Sequence, residues 1–403
     1  RRLMGGGIWH FRPQTRELEV FCEGFVNPWG HVFDKWGQSF ATDGAFGEGV
    51  NYVFPGAVFV SSPGAKRLMK GMSPGQPKHC GLELLNGRHL PEEWQGVMLA
   101  NDFRGHRVNA FKIVPEGSGY AARQIEDLVK TTHSAFRPID VRVGPDGAVY
   151  IADWYNPIIQ HGEVDFRDPR RDHVHGRIWR VTAKGRPLVE KPKIVGVEVA
   201  QLLEMLRSPE DMTRYFAKKE LASRADGEVL APLEKWATAD GRSTHEQLEA
   251  LWAFQARNVL NEALLRELLA APEYQARAAA VRVLYHWHSR VPGHLELLEK
   301  AVADSHPQVR LAAVNALRSV GTAKSAELAM RAVSQELDAS LDFAAWRTAS
   351  DLQGIWLPAF KRGEIDFAGD PKQLAYALRS AENAGALQPL LKSLDEGGLG
   401  GAD

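Results

Sequence analysis

Three copies of one short pattern constrain this chain more than anything else in it. Gly-x5-Asp occurs at Gly37–Asp43, Gly96–Asp102 and Gly147–Asp153, spaced 59 and 51 residues apart. The first and third copies extend into a gap-free alignment in which Asn27-Pro28 through Asp43 falls on Arg137-Pro138 through Asp153 at an offset of 110. Each copy reads as a strand, a glycine-closed turn and a second strand ending in aspartate. Strand-like runs follow at Arg107-Val108-Asn109-Ala110-Phe111 and Arg177-Ile178-Trp179-Arg180-Val181, and Gly6-Gly7-Ile8-Trp9-His10-Phe11 has the same look. Repeats of about 40–50 residues built from short strands and glycine turns are the signature of propeller blades. The three aspartates should then recur at equivalent blade positions. An open β-sandwich is the other architecture such strands permit.

The pattern does not continue to the end of the chain. Residues 1–188 hold 24 of the 37 glycines but only 12 alanines, whereas residues 189–403 hold 38 alanines. Glycine-punctuated sequence followed by Ala- and Leu-rich sequence predicts strands first and helices second. In the second part, Asp304 to Leu317, with Pro307 at a helix start, is copied by Pro272 to Leu284, with Arg277 and Arg310, and Leu284 and Leu317, each 33 apart. Leu221, Leu251, Leu284, Leu317 and Leu352 continue the series at steps of 30, 33, 33 and 35. Paired helices at this period predict a HEAT- or armadillo-type α-solenoid, in which the Ala, Leu and Trp stripes are packing. The expected organisation is therefore multidomain, β then α. Residues 1–188 form a partial six-bladed propeller, 189–196 a Pro- and charge-rich linker, 197–394 the helical repeats, and 395–403 the start of a glycine-rich linker. Roughly 190 residues supply only three to four blades, and the chain opens in mid-strand at Arg1-Arg2-Leu3. It reads as part of a longer protein, with further blades expected before Arg1.

Charge and composition narrow the function classes. Lys plus Arg is 49 and Asp plus Glu is 50, for a net charge of -1, so no broad electrostatic grip on nucleic acid is expected. No apolar run approaches the ~20 residues that span a bilayer. Cys22 and Cys80 are too few for a disulfide framework, a CxxC zinc site or a CxxCH haem site. No phosphate loop, nucleophile elbow or metalloprotease helix is present.

The chemistry-bearing residues cluster after the aspartates. Arg107 follows Asp102 after four intervening residues, but 23 residues separate Asp153 from Arg177, with three His, four acids and three Arg among them. A long loop on a rigid repeat scaffold is a common seat of binding groups. Three readings compete there. Arg170, Arg171 and Asp172 could bind a polar or anionic ligand through forked hydrogen bonds, with His161 or His173 as a base. Asp172, His173, His175 and His161 could hold a divalent metal. Alternatively, Asp165, Asp168, Arg170, Arg171 and Asp172 merely pin the loop. The segment Asn101-Asp102-Phe103-Arg104-Gly105-His106-Arg107 offers Arg104 and Arg107 to an anionic cofactor, or is a solvated turn. His79 opens a strand and is a third candidate base.

Phe136 to Tyr155, with Gly176-Arg177-Ile178-Trp179-Arg180-Val181, resembles the glucose/sorbosone dehydrogenase-like six-bladed propellers. It is similar in particular to membrane-bound dehydrogenase proteins of planctomycetes and verrucomicrobia, which join such a propeller to HEAT repeats and often to a C-terminal c-type cytochrome domain. Gly24-Phe25-Val26-Asn27-Pro28-Trp29-Gly30 and the Arg167–His175 run fit the same pattern. The resemblance implies an exported oxidoreductase of the periplasm or cell envelope. It would oxidise a sugar or alcohol with pyrroloquinoline quinone (PQQ) and pass electrons to a cytochrome, with haem c confined to a domain outside this chain. It further implies that Asn27, Arg104 and Arg107 hold the quinone and that Asp102, Asp153, Tyr155, His161 and His173 lie on the substrate side. One departure stands out: an Arg-Asn pair contacts the quinone in that family, and here Val26 precedes Asn27. The alternative is a non-catalytic propeller–solenoid module that binds a glycan or a protein partner, with the solenoid as the protein-binding part.

Overall fold

The computed structural model describes residues 5–13, 15–45, 49–60, 68–73, 78–159 and 164–381. The chain forms two compact units, one of Arg1–Glu116 with Tyr120–Trp236 and one of Gly117–Gly119 with Ala237–Asp403. The sheet-rich part comes first and the helical repeats follow.

The strands are β1 (Gly6–Arg12), β2 (Glu17–Phe25), β3 (Pro28–Phe33), β4 (Ser39–Asp43), β5 (Val50–Val53), β6 (Ala57–Val58) and β7 (His79–Leu84). They continue with β8 (Val97–Asp102), β9 (Arg107–Glu116), β10 (Gly119–Gln124), β11 (Val129–Lys130), β12 (Pro138–Val143), β13 (Val149–Asp153) and β14 (Arg177–Val181). They make four separate sheets, ordered β1-β2-β6, β3-β4-β5, β7-β8-β9-β10 with β11 on β9, and β12-β13-β14. These sheets do not join into a closed ring among the described residues.

The repeat seen in the sequence is a repeat in register. Pro28 pairs with Asp43, His79 with Asp102 and Pro138 with Asp153, and each pairing is followed at once by a local irregularity in the first strand. The glycine that opens each motif has positive φ, at 74° (Gly37), 71° (Gly96) and 81° (Gly147), a conformation that strains any residue with a Cβ. Gly-x5-Asp is thus one left-handed turn residue plus one strand, used three times.

The first strands of the three units lie beside one another in chain order. A Cβ on Gly30 would stand 2.7 Å from the Cys80 carbonyl oxygen, and one on Gly81 would stand 2.6 Å from the Asp140 Cα. Thr42 Oγ1 donates to the Cys80 carbonyl at 2.6 Å, and Arg142 Nη1 to the Leu82 carbonyl at 2.8 Å. Glycine at these two positions is what permits the backbones to approach so closely. Between the third and fourth sheets, Leu85, Val97, Leu99, Val108, Val141, Val149 and Ile151 form a buried apolar core.

The helices begin with α1 (Val199–Met205), α2 (Asp211–Ser223) and α3 (Asp226–Ala237). All three, α3 up to Trp236, belong to the sheet-bearing unit. Arg88 grips Glu210 with two parallel bonds of 2.9 and 2.8 Å, and Asn86 donates to Asp211 at 2.7 Å. The linker expected at 189–196 is where strands give way to helices, and the compact units divide later, after Trp236.

The second unit carries α4 (Thr244–Ala256), α5 (Glu262–Leu269), α6 (Tyr274–Trp287), α7 (His294–Val302), α8 (Pro307–Val320), α9 (Ala323–Met330), α10 (Ala339–Asp351), α11 (Gln353–Lys361) and α12 (Pro371–Ser380). Pro307 starts α8 at a position where its missing N–H is harmless, and the left-handed Gly321 ends it. Leu251, Leu284 and Leu317 are fully buried. The arginines 33 apart repeat a bond as well as a spacing: Arg277 Nη1 donates to the Ala271 carbonyl at 2.8 Å and Arg310 Nη1 to the Asp304 carbonyl at 2.9 Å. Each ties the start of its helix to the preceding loop. No helix among the described residues is long and apolar enough to cross a membrane.

Candidate functional site

The three aspartates perform the same task. Asp43 Oδ1 accepts from Asn27 N at 2.8 Å, Asp102 Oδ1 from Lys78 N at 3.2 Å, and Asp153 Oδ1 from Arg137 N at 2.8 Å. In each case the donor is the residue immediately before the first strand of the unit. The carboxylate also turns the loop beyond it, accepting from Ala45 N, Gly105 N and Tyr155 N respectively. Asp102 and Asp153, nominated for substrate binding and catalysis, are buried, and their carboxylates tie strands and loops together.

At the end of the third sheet, Arg107 lies between two acids, 3.3 Å from Asp102 and 3.9 Å from Asp127. His79 is 1% exposed and its Nε2 meets Asn109 Oδ1 at 3.1 Å. Asn109 Nδ2 donates to Asp127 at 2.7 Å, which fixes the amide orientation and makes His79 Nε2 the donor. The lone pair is then on Nδ1, which is buried and meets no hydrogen-bond partner among the described residues. Burial holds this imidazole below its ordinary range, against the opposing pull of Asn109 and Asp102. Arg104 and Asn27 are both exposed.

The end of the last sheet is organised by a residue that sequence reasoning passed over. Arg137 is buried and its guanidinium is bound to carbonyls, with Nε on Asn156 at 2.9 Å, Nη1 on Phe103 at 2.9 Å and Nη2 on Pro157 at 3.1 Å. It therefore fastens the loops that follow β8 and β13 to each other. Beside it, Tyr155 stands at φ 53°, an uncommon conformation for a tyrosine, held by its bond to Asp153. Trp179 Nε1 donates to the other Asp153 oxygen at 2.9 Å. The Arg177 guanidinium lies 3.6 Å above the Tyr155 ring and 5.9 Å from the Trp179 ring. His133 and His175 approach Tyr155 at 5.8 and 6.5 Å between ring centres.

The charge-dense loop is largely bonded to itself. Arg170 pairs with Asp168 at 2.7 Å. Arg171 is buried, donating to the carbonyls of Asp165 at 3.1 Å and Val164 at 3.0 Å. Asp172 accepts from Val174 N and His175 N and pairs with His175 Nδ1 at 2.9 Å, and those two backbone bonds lead the causes that bring its carboxyl down to about 2. His173 is exposed, and His161 lies outside the described residues. No group of three or more His, Cys, Asp or Glu is placed to hold a metal ion among the described residues. A cleft of about 500 Å³ is lined by Arg88 and residues 187–193, and none of the nominated residues borders it.

Two of the three residues nominated for the quinone, Arg107 and Asn27, fit it poorly. A polycarboxylate needs cations with charge to spare. Arg107 is already neutralised by two acids, Val26 is apolar, and Asn27 is uncharged.

Comparison with known proteins adds two family matches. Residues 2–185 match a family described as a domain of unknown function (DUF7133), and residues 261–346 match HEAT repeats. A search of curated proteins finds no match. Among solved structures, a glucose dehydrogenase is 19% identical over 41% of this chain and 43% of its own, with a TM-score of 0.28. A Thermus thermophilus protein described as a putative oxidoreductase (glucose dehydrogenase) is 21% identical over 40% of this chain and 46% of its own, with a TM-score of 0.28. A designed armadillo repeat protein is 16% identical over 49% of this chain and 99% of its own, with a TM-score of 0.29. The chain spans less than half the length of either dehydrogenase structure.

Proposed function

We propose that this chain is a binding module, an arc of propeller blades joined to a HEAT solenoid, that recognises a glycan or protein partner. The arc reading rests on the shared register of the three strand pairs and on the side-by-side first strands that Gly30 and Gly81 allow. The observation that carries the functional reading is the use made of the charged groups. The aspartates that a catalytic account would recruit are strand ties, and Arg107, Arg170 and Arg171 are held by their own neighbours. What they brace is a loop face carrying exposed aromatic rings, Trp154 and Trp179 among them. Rigid aromatic surface on well-supported loops suits recognition. On the same reading the protein is exported and its solenoid receives a protein partner.

A second reading, a quinone-linked sugar or alcohol dehydrogenase passing electrons to a cytochrome, is favoured by His79. Its Nδ1 lone pair, without a partner among the described residues, is what a general base presents. At 1% exposure, however, that nitrogen has no open path to a substrate proton. Titrating the protein with PQQ, followed by absorbance and by sugar-dependent dye reduction, separates the two. The binding reading expects neither saturation nor reduction. Stoichiometric quinone binding with turnover would establish the dehydrogenase.

A further inference from the structure

Arg107 and Arg177 occupy the same place in two successive units, yet they meet different fates. Arg107 pairs in register with Asp102, and Arg177 pairs in register with Asp153. In the third sheet the arginine turns to its aspartate, with Arg107 Nε and Nη2 both 3.3 Å from Asp102 Oδ2. In the last sheet that second oxygen is taken by the indole of Trp179 at 2.9 Å. Trp179 stands where the third sheet has Asn109, so a single exchange removes the carboxylate from reach of Arg177. The guanidinium instead lies over the Tyr155 ring, its central carbon 3.6 Å from the ring centre, and no hydrogen bond from its N–H fork is seen among the described residues.

The two rings that flank Arg177 are fixed by one buried group. Asp153 Oδ1 holds the backbone of Tyr155 at 2.9 Å and Oδ2 holds the Trp179 ring at 2.9 Å. His175, paired to Asp172, meets Tyr155 edge-on. A stacked guanidinium keeps its planar fork directed outward and loses little freedom on binding. An aromatic face beside it suits the weakly positive C–H face of a sugar ring.

We propose that Arg177, held by Tyr155, and Trp179 form a subsite for an acidic sugar, the guanidinium fork taking the carboxylate and the exposed Trp179 ring taking the sugar face. The proposal deepens the binding reading above and rests on it. A single carboxylate suits the local charge better than a dianionic phosphate, because Asp153 and Asp172 are anchored around the same tyrosine.

The test is calorimetric binding of an oligogalacturonate to the 403-residue chain, against a neutral galactan of equal length and against polyglutamate. The expected result is preferential binding of the oligogalacturonate, weakened about ten- to a hundredfold by Arg177→Gln. Arg177→Lys, which keeps the charge but not the planar stack, should weaken it about tenfold. Trp179→Phe, which loses the indole N–H that occupies Asp153, should also weaken it, because Arg177 can then turn to the carboxylate. Unchanged affinity in Arg177→Gln would overturn the subsite, as would equal binding of polyglutamate. Equal binding of galactan would overturn the carboxylate assignment and leave the binding reading standing. The quinone titration judges that reading on its own.

Discussion

Replacing Asp153 should damage the fold of the sheet-bearing unit before it affects any chemistry. The carboxylate accepts three hydrogen bonds, from Arg137 N at 2.8 Å and from Tyr155 N and Trp179 Nε1 at 2.9 Å each. A hydrogen bond to a charged acceptor contributes about 1.5–3 kcal/mol. Trp179 is 45% exposed and its indole recovers water when the carboxylate is removed. About two bonds' worth is then lost outright, so Asp153→Ala should destabilise by about 3–6 kcal/mol. Asp153→Asn keeps one oxygen for the two backbone amides and offers an NH2 group towards the indole, so it should cost about 1–3 kcal/mol. Against a typical domain stability of about 5–15 kcal/mol, the alanine variant is close to unfolding. The two compact units need not unfold together. Urea unfolding should therefore be read by hydrogen exchange in peptides covering 138–153. An alanine variant within about 0.5 kcal/mol of wild type would refute the strand-tie role.

Three further outcomes test other parts of the account. Burial, with His10 and Arg142 nearby, pushes the His31 imidazole down to about 4 from 6.5. Its contribution is complete above pH 6.5 and is lost as pH falls towards 4, by up to about 3 kcal/mol. Glu83, pushed up to about 7 chiefly by burial, acts in the opposite sense over part of that range. The quantity to measure is therefore the stability difference between wild type and His31→Asn, which should move against wild type between pH 7 and 4.5. Gly81→Ala forces a Cβ to within 2.6 Å of the Asp140 Cα and should cost about 1–3 kcal/mol by thermal unfolding, whereas alanine at Gly227, in α3, which has open space around it and no left-handed φ, should cost less. Arg277→Ala removes bonds to Asp304 of 2.7 and 2.9 Å together with the carbonyl ties, and should destabilise the helical unit by about 2–4 kcal/mol in chemical denaturation.

The elements most visible in the sequence were those that repeat. Gly-x5-Asp disclosed three strand ends because a left-handed turn residue needs glycine and a buried tie needs a carboxylate, so both positions tolerate few residue types. The leucines at steps of about 33 marked the solenoid for a similar reason, since each fills one layer of a continuous core. The loop face was less legible. Asp153 and Arg171 look like site residues in one dimension because charge density is visible there and hydrogen-bond commitment is not. Arg137 carries no such signal, although it stands in the repeat alignment opposite Asn27. Its buried guanidinium is explained only by carbonyls at 103, 156 and 157, which no local pattern announces. Arg177 was aligned with Arg107 from the start. The signal that separates them is the neighbour two residues on, Trp179 against Asn109, and it acquires meaning only once both are seen to face the same aspartate.

Hydrogen exchange of the 403-residue chain, with and without oligogalacturonate, tests the central claim most directly. If the loop face of the last sheet is the recognition surface, protection should rise at 153–159 and 172–179 and leave the solenoid helices unchanged. Protection confined to the helices, or none at saturating ligand, would contradict it.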